Sequence, residues 1–172
     1  IVLIKGQSKM FLAGPPLLFA ATGEVASDEE LGGAEMHATK PGTGEYIASN
    51  DEQAILLARD IVKNLGISEQ NRSEKTRPGQ NYRITDYSPP LFDPGELLGI
   101  VPKSANTPFD MREVWARVLD GSEFLEFKEQ YDDGTICGHG AIMGIKIGLV
   151  GNNSPITPQG AQKATQFIQL CE

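Results

Sequence analysis

Short apolar runs and proline–glycine punctuation dominate the start of the chain. Residues 1–4 and 9–12 have the length and composition typical of β-strands. Gly14 is followed by two prolines, which are favoured in the first turn of a helix, and Gly23 is a residue type favoured at helix ends. We therefore expect strands at both runs and a helix between the two glycines.

Two further helices are predicted by their capping patterns. The S-x-x-E spacing from Ser27 to Glu30 predicts a capping box and a short helical turn. Residues 50–65 have the strongest helical periodicity of the chain, and Ser49 and Glu52 repeat the capping spacing in front of it. The apolar positions of this helix share one face, which we expect to be buried: Ala54, Ala58, Ile61, Val62 and Leu65.

The last part of the chain again mixes both element types. Asp110 is the expected cap of a helix with a buried face formed by Val114, Trp115, Val118 and Leu119. Residues 135–143 and 145–150 predict a hairpin with a tight turn at Met143-Gly144. Residues 158–171 predict a final helix with one apolar face: Ala161, Ala164, Phe167, Ile168 and Cys171.

Residues 67–108 differ in composition from both flanks. They are polar, rich in Asn, Arg, Ser, Pro and Gly, and show no sustained periodicity, which is typical of a linker. We therefore predict an α/β region at 1–66, a linker at 67–108 and a second α/β region at 109–172.

Composition and charge exclude several classes of function. The 172 residues carry 15 Lys and Arg against 23 Asp and Glu, a net charge of −8, which disfavours a protein that binds the phosphate backbone of nucleic acid. An apolar fraction of 40% is ordinary for a globular protein, and no apolar run is long enough to span a membrane. Cys137 and Cys171 lack metal or redox spacing and are expected to be small, reduced core residues.

Side chains with obvious catalytic chemistry are sparse. The sequence has no nucleophile elbow, Walker A, zinc-protease or dinucleotide motif, and its two histidines leave little for a metal site. His37, after Gly32 and Gly33 in an expected loop, is either a structural histidine or a hydrogen-bonding residue of a pocket, whereas His139 fits a strand interior. The many glycines serve turns and packing, or let backbone N–H groups approach a ligand oxygen.

Several ordered strings resemble a known family. MFLAGPPL at 10–17, AATGE at 20–24 and ELGGAEMH at 30–37 are similar to the carboxyltransferase (β) subunit of biotin-dependent acyl-CoA carboxylases. GIVP at 99–102, PFDMREV at 108–114 and GLVGNN at 148–153 resemble the same family. FLAGPPL favours the methylcrotonyl-CoA and geranyl-CoA branch, and the stretch from PITP at 155–158 resembles the geranyl-CoA type.

The resemblance implies an α/β fold of the crotonase-like (ClpP/crotonase) type, a ββα superhelix, with parts of two such domains. Residues 1–66 would end the first domain and 109–172 would begin the second. The chain starts without methionine and stops within a helical pattern, so we expect a piece of a longer subunit. That subunit would work in a homo-oligomer with a biotin-carrying biotin carboxylase α subunit. It would be located in the cytoplasm, or in the mitochondrial matrix of a eukaryote.

The implied reaction moves a carboxyl group from carboxybiotin to the γ carbon of a 3-methylcrotonyl-CoA- or geranyl-CoA-type thioester. Backbone oxyanion holes stabilise the enolate, and the glycines that form them are expected outside this chain, so we assign no catalytic residue and no metal here. By resemblance, the acyl-CoA side of the site includes Phe11, Ala13, Gly14, Pro15, Pro16, Gly32, Gly33 and His37. The carboxybiotin side includes Asn152 and Asn153. Phe19 and Ala141 depart from the Lys and Arg that are common at these places.

Two other functions remain open. The carboxyltransferase subunit of a biotin-dependent decarboxylase has the same fold and transfers the carboxyl group in the opposite direction. A non-catalytic assembly or interface module is the alternative from a different class. Binding of acyl-CoA would distinguish a retained pocket from such a scaffold.

Overall fold

The computed structural model describes residues 1–65, 87–104 and 107–172, and its chain divides into two compact units. The first unit contains Ile1–Arg59 and Lys128–Asp132, and the second contains Asp60–Phe127 and Asp133–Glu172. About half of the predicted linker at 67–108 lies outside the described residues, so the predicted domain boundaries stay predictions.

A parallel pair of short strands forms the frame of the first unit. β1 (Val2–Ile4) pairs with β2 (Tyr46–Ala48), with Leu3 opposite Ile47. Parallel neighbours need a crossover connection, and three helices provide it. These are α1 (Pro15–Thr22), α2 (Asp28–Gly32) and α3 (Ala34–Thr39).

Local capping explains where these helices begin and end. Gly14 is the N-cap of α1, and Gly23 ends the helix where predicted, in the left-handed conformation with φ 78°. The Ser27 hydroxyl accepts the Glu30 N–H and the Glu30 carboxylate accepts the Ser27 N–H, which confirms the capping box of α2. Gly33 both ends α2 and begins α3.

The predicted strand at 9–12 is wrong. Only Lys9 forms a bridge, to Gly33, and the following residues run as an open loop into α1. Leu12 is fully exposed, so the apolar character of this run does not report burial in a sheet. The prediction that His37 lies in a loop is also wrong, because His37 is part of α3.

The longest helix in the described part of the chain, α4 (Asp51–Leu65), forms where predicted but with a different cap and exposure. The Asn50 side chain accepts the Gln53 N–H at 2.9 Å, and Gln53 Oε1 accepts the Ser49 N–H at 2.6 Å, so Gln53 takes the place predicted for Glu52. None of its residues is buried, and the predicted buried face is wrong. Periodicity identifies an apolar face, but a covering element must come from elsewhere in the fold.

The second unit is built on a three-stranded antiparallel sheet. The strands β3 (Leu125–Phe127), β4 (Thr135–Ile142) and β5 (Ile145–Asn152) are adjacent in that order. Met143 and Gly144, with φ of 50° and 76°, form the two-residue turn that the sequence predicts between β4 and β5. The Asp120 carboxylate accepts both N–H groups of this turn at 2.9 and 2.7 Å.

Short helices precede the sheet and a long helix follows it. A 3₁₀ turn (Pro94–Glu96), α5 (Leu97–Ile100) and α6 (Met111–Trp115) come first, and α7 (Pro158–Cys171) begins at the cap Thr157. Trp115, Leu119 and Ile136 form the centre of the core, and Val118 of the predicted face is exposed. In the described residues, no helix has the length and apolar character needed to cross a bilayer.

The buried face of α7 differs from the predicted one. Gly160, Lys163 and Phe167 are buried, whereas Ala161, Ile168 and Cys171 are exposed. Phe167 packs 5.6 Å from the Phe127 ring, centroid to centroid. Cys137 is a buried core residue as expected, but the expectation for Cys171 is wrong.

A polar cluster ties α6 to the sheet. Arg112 Nε and Nη2 each donate to a different carboxylate oxygen of Glu126 at 2.6 Å, and Arg112 also pairs with Asp110. Burial alone would raise the pKa of Asp110, but hydrogen bonds from Asn153 and Arg112 and the Arg112 charge hold that pKa below its ordinary value. Because the Glu126 side chain is only 11% exposed, its negative charge depends on this bidentate partner.

We expect Arg112→Ala to lower the free energy of unfolding by about 2 kcal/mol, because it leaves the largely buried Glu126 carboxylate without its cationic partner. The cost is below that of a fully buried pair because the Arg112 side chain is 33% exposed. Chemical denaturation measures the loss. Lys63→Ala is the matched control, since the Lys63–Glu123 pair is exposed on both sides and should contribute less than about 0.5 kcal/mol. Equal costs for the two variants would contradict the role assigned to the Arg112 cluster.

Acidification is expected to destabilise the second unit through His139. Burial lowers the pKa of His139 from its ordinary 6.5, so the unfolded chain takes up this proton at higher pH than the folded chain does. The contribution of His139 is complete above pH 6.5 and falls as the pH drops from there towards the lower folded pKa. His139→Gln should flatten the stability profile in this window, whereas Asp110 acts only around and below its ordinary pKa of 3.8. An unchanged profile in His139→Gln would contradict the assignment.

Candidate functional site

The loop between β1 and α1 is held at Met10 by backbone and side-chain hydrogen bonds. Met10 donates its N–H to the Gly32 carbonyl at 2.8 Å, next to the bridge from Lys9 to Gly33. The Met10 carbonyl oxygen lies 2.5 Å from His37 Nε2. Both backbone polar groups of Met10 therefore have partners, one at the end of α2 and one on the side chain of an α3 residue.

His37 uses both ring nitrogens within the first unit. Because a carbonyl oxygen can only accept, the ring donates from Nε2 to the Met10 carbonyl, which assigns the proton to that nitrogen. Nδ1 lies 2.7 Å from Thr43 Oγ1, and in the neutral ring it accepts the hydroxyl hydrogen. His37 therefore connects the loop to the turn after α3. Its bond to a backbone carbonyl fits the structural histidine that was one of the two alternatives from the sequence.

Two glycines hold the Phe11 ring. A methyl group at Gly32 would lie 2.5 Å from both the Met10 carbonyl oxygen and Phe11 Cδ1, a distance that real side chains do not reach. A methyl group at Gly14 would lie 3.1 Å from Phe11 Cε2. The ring thus packs on glycine backbone while remaining 40% exposed. Glycine is required at residue 32 for this close approach.

The start of α1 presents apolar surface rather than hydrogen-bond donors. Pro15 and Pro16 have no backbone N–H, and the N–H groups of Leu17 and Leu18 are directed at the Gly14 carbonyl at 3.0 and 3.1 Å. No charged residue occurs between Lys9 and Glu24, and Leu12, Leu17 and Phe19 are strongly exposed. This segment can contact an apolar ligand but supplies no oxyanion hole at the helix start.

Most residues predicted on the acyl-CoA side come together in the first unit. The contacts described above join four of them: Phe11, Gly14, Gly32 and His37. Gly33 packs against Glu29, because a methyl group at Gly33 would lie 2.3 Å from the Glu29 carboxyl group. The half-buried Ala13 and Pro15 and the exposed Pro16 line the entry into α1. Thr43 was not predicted, because nothing in its local sequence indicates a partner for His37.

Of the two asparagines predicted on the carboxybiotin side, Asn152 is the last residue of β5 and Asn153 directly follows it, in the second unit. Asn153 Oδ1 accepts the Met111 N–H at 2.8 Å and its Nδ2 donates to Asp110 at 3.0 Å, so its amide fixes the start of α6. Asn152 is exposed and donates from Nδ2 to the Ser154 carbonyl at 2.9 Å. Of the two, Asn152 has the side chain that is open to a ligand.

The second unit also contains an open cavity of about 530 Å³ that the sequence did not predict. His139, Gly140 and Ala141 of β4 form one wall, with Lys146 beside them. Charged groups that line the cavity have partners in the protein: Lys63 pairs with Glu123, and Asp120 accepts N–H groups of the hairpin turn. Within 1–65, 87–104 and 107–172, no cluster of His, Cys, Asp or Glu is suited to hold a metal ion.

Comparison with known proteins gives concordant matches. The carboxyl transferase domain family matches residues 1–172. The mitochondrial methylcrotonoyl-CoA carboxylase β chain of Dictyostelium discoideum is 42% identical over 170 residues, covering 99% of this chain and 27% of that protein. The geranyl-CoA carboxylase β subunit of P. aeruginosa is 51% identical over 99% of this chain and 30% of that subunit, with a TM-score of 0.49.

The crystal structure of transcarboxylase 12S, described as a hexamer with hydrolysed methylmalonyl-CoA bound, superposes with a TM-score of 0.80. It is 30% identical, and the match covers 99% of this chain and 33% of that one. The present chain therefore spans about a third or less of each relative's length. The family match and the superposition on transcarboxylase 12S confirm the predicted α/β, crotonase-like fold class. The chain belongs to the carboxyl transferase domain family and is related to the β subunits of acyl-CoA carboxylases.

Proposed function

We propose that the loop from Met10 to α1, with the residues that hold it, forms part of the acyl-CoA site in the carboxyltransferase subunit of a biotin-dependent acyl-CoA carboxylase. The substrate is an enoyl thioester of the 3-methylcrotonyl-CoA or geranyl-CoA type. The observation that carries the proposal is the exposed, uncharged segment from Met10 to Gly23, with the Phe11 ring held on two glycines. The family membership and the methylcrotonoyl-CoA relative support this substrate class.

The chemistry of a branched enoyl thioester suits such a segment. Its acyl chain is apolar and gains free energy when it leaves water for a surface of aromatic and aliphatic groups. Phe11 offers a ring face, and Ala13, Gly14 and Pro15 offer small apolar surface that lets the thioester approach the backbone. Gly32, Gly33 and His37 support that surface, so their role is to hold the loop.

In this proposal, the residues of the loop and of the β5 end position the reactants and supply no acid, base or nucleophile. Carboxybiotin, held by a biotin-carrying α subunit, provides the carboxyl group, and its ureido group requires hydrogen-bond donors. Asn152, exposed at the end of β5, fits a donor near that group, and Asn153 supports it by fixing the start of α6. The oxyanion-hole glycines belong to other parts of the subunit, in keeping with the lack of donors at the start of α1.

The same proposal defines the partners and the location. The full subunit forms a homo-oligomer, as the hexamer of transcarboxylase 12S does, and it binds acyl-CoA and the biotin-carrying α subunit. The Dictyostelium relative is mitochondrial by name, and we place this protein in the matrix of a eukaryotic cell or in the cytoplasm of a bacterium.

An assembly module is the second candidate, and one observation favours it. Apolar side chains are exposed on α1 and also on α4, where Ile55, Leu56 and Val62 have no covering element among the described residues. Surfaces of this kind mark protein–protein contacts. Acyl-CoA binding separates the two candidates, because a scaffold needs no thioester pocket. The decarboxylase alternative differs only in the direction of carboxyl transfer, which assays in both directions would reveal.

The test uses the full-length subunit assembled with its α subunit. There, Phe11→Ala should raise the KM for the enoyl-CoA roughly tenfold, because it removes the apolar contact area of the ring. The kcat should change little, because the ring binds substrate and transition state equally. Steady-state kinetics measures both. Ile55→Ala, an exposed apolar residue on α4, is the matched control and should leave KM unchanged. Equal effects of the two variants would refute a direct acyl contact.

The 172-residue chain alone is expected to show no carboxyl transfer with free biotin or a biotinylated carrier. The reason is that no residue placed at the loop can stabilise an enolate oxygen, since the first turn of α1 offers no free donor from residues 15–18. A radiolabelled carboxyl-transfer assay tests this, with the full-length assembly as positive control. Clear turnover by the chain alone would refute the assignment of catalysis to other parts of the subunit.

A further inference from the structure

We propose that His37 is a positioning residue that sets the orientation of Phe11 by fixing the Met10 carbonyl. This inference rests on the proposed function, in which Phe11 contacts the acyl group. It assigns to His37 a role in acyl-CoA affinity without any contact between the imidazole and the substrate. The juxtaposition that carries it is Nε2 at 2.5 Å from the Met10 oxygen, one peptide group before Phe11.

The imidazole is itself held in place from two directions. His37 lies in α3, whose Ala34 and Ala38 are buried and anchor the helix to the unit. The backbone carbonyl of His37 accepts the Gly44 N–H at 3.0 Å, and Thr43 Oγ1 lies 2.7 Å from Nδ1. Because the turn after α3 orients both the backbone and the ring, the direction in which Nε2 donates is fixed before any ligand binds.

The hydrogen bond acts on the peptide plane that leads into Phe11. With the Met10 N–H on Gly32 and the Met10 carbonyl on His37, the two peptide groups that flank Met10 are both fixed. The planar Met10–Phe11 peptide then limits where the Phe11 Cα and ring can lie. The ring is placed on Gly14 and Gly32, where no side chain obstructs it.

A purely structural role predicts a different result on removal. The hydrogen bond between His37 and the Met10 carbonyl is solvent-exposed, so water can replace His37 there and the cost to folding should be small. The orientation of the loop, by contrast, is no longer fixed, and acyl-CoA binding must then supply the ordering. Loss of the bond should therefore weaken affinity with little effect on stability or on the chemical step.

Two substitutions of His37 distinguish the contribution of Nε2 from that of Nδ1. The amide of Gln reaches about as far as Nε2, so His37→Gln retains a donor for the Met10 carbonyl. The amide of Asn lies near the position of Nδ1, so His37→Asn retains a partner for Thr43 but loses the bond to Met10. Both side chains are neutral and polar, which makes the pair a control for bulk and charge.

The experiment uses the full-length subunit assembled with its α subunit, and measures the Kd for enoyl-CoA by calorimetry together with KM and kcat. His37→Asn should raise Kd and KM about fivefold or more with kcat nearly unchanged, and His37→Gln should stay within about twofold of wild type. Thermal unfolding should be similar for both. Equal Kd values for the two variants, or a fall in kcat alone, would overturn the proposal.

A double-mutant cycle tests whether His37 acts through Phe11. In a Phe11→Ala background, His37→Asn should add less than about twofold to Kd, because the ring whose position it controls is gone. Independent, multiplicative effects would overturn the proposal. Thr43→Val, which removes the support of Nδ1, provides a second variant should His37→Asn fail to fold, and it should raise Kd in the same direction. A wild-type assembly that does not bind enoyl-CoA would instead overturn the proposed function.

Discussion

The arrangement of the candidate site depends on the two hydrogen bonds formed by the backbone N–H and carbonyl groups of one residue, Met10. Its N–H bonds the Gly32 carbonyl and its own carbonyl accepts from His37, so the loop is fixed without belonging to a sheet. This is possible only because Gly32 has no Cβ, which would meet both the Met10 oxygen and the Phe11 ring. An exposed apolar loop with free backbone groups would pay a large ordering cost on binding, and these two bonds reduce it.

Features that depend on neighbouring residues were the ones that the sequence predicted well. The proline start of α1, the left-handed Gly23, the capping box at Ser27 and the turn at Met143 follow from local backbone sterics and side-chain reach. The buried faces of α4 and α7 were predicted poorly, because apolar periodicity does not specify which element covers a face. The three-residue strands β2 and β3 are too short to show a period.

The candidate site shows the same contrast between local sequence features, which were predicted, and long-range contacts, which were not. The resemblance of ordered strings brought Phe11, Gly14, Gly32 and His37 to attention, but their mutual geometry is long-range and was not predicted. Neither the bond from His37 to Met10 nor the contact with Thr43 can be derived from composition or spacing. The Asn153 amide likewise has partners at 110 and 111, which only the folded chain brings near.

Under the proposed function, the lack of charge within the loop would have its own consequence for enolate chemistry. Lys9 and Asp28 form a 2.6 Å ion pair at the start of the loop, and no further charge follows until Glu24. If this surface covers the acyl group, it lowers the effective dielectric around the thioester, which strengthens any backbone N–H dipole directed at the developing oxyanion. A cationic residue in the loop would attract the carboxylate that the acyl chain gains in the reaction, and that attraction would slow product release. In the proposed site, an uncharged loop held in place by hydrogen bonds at Met10 would avoid this cost.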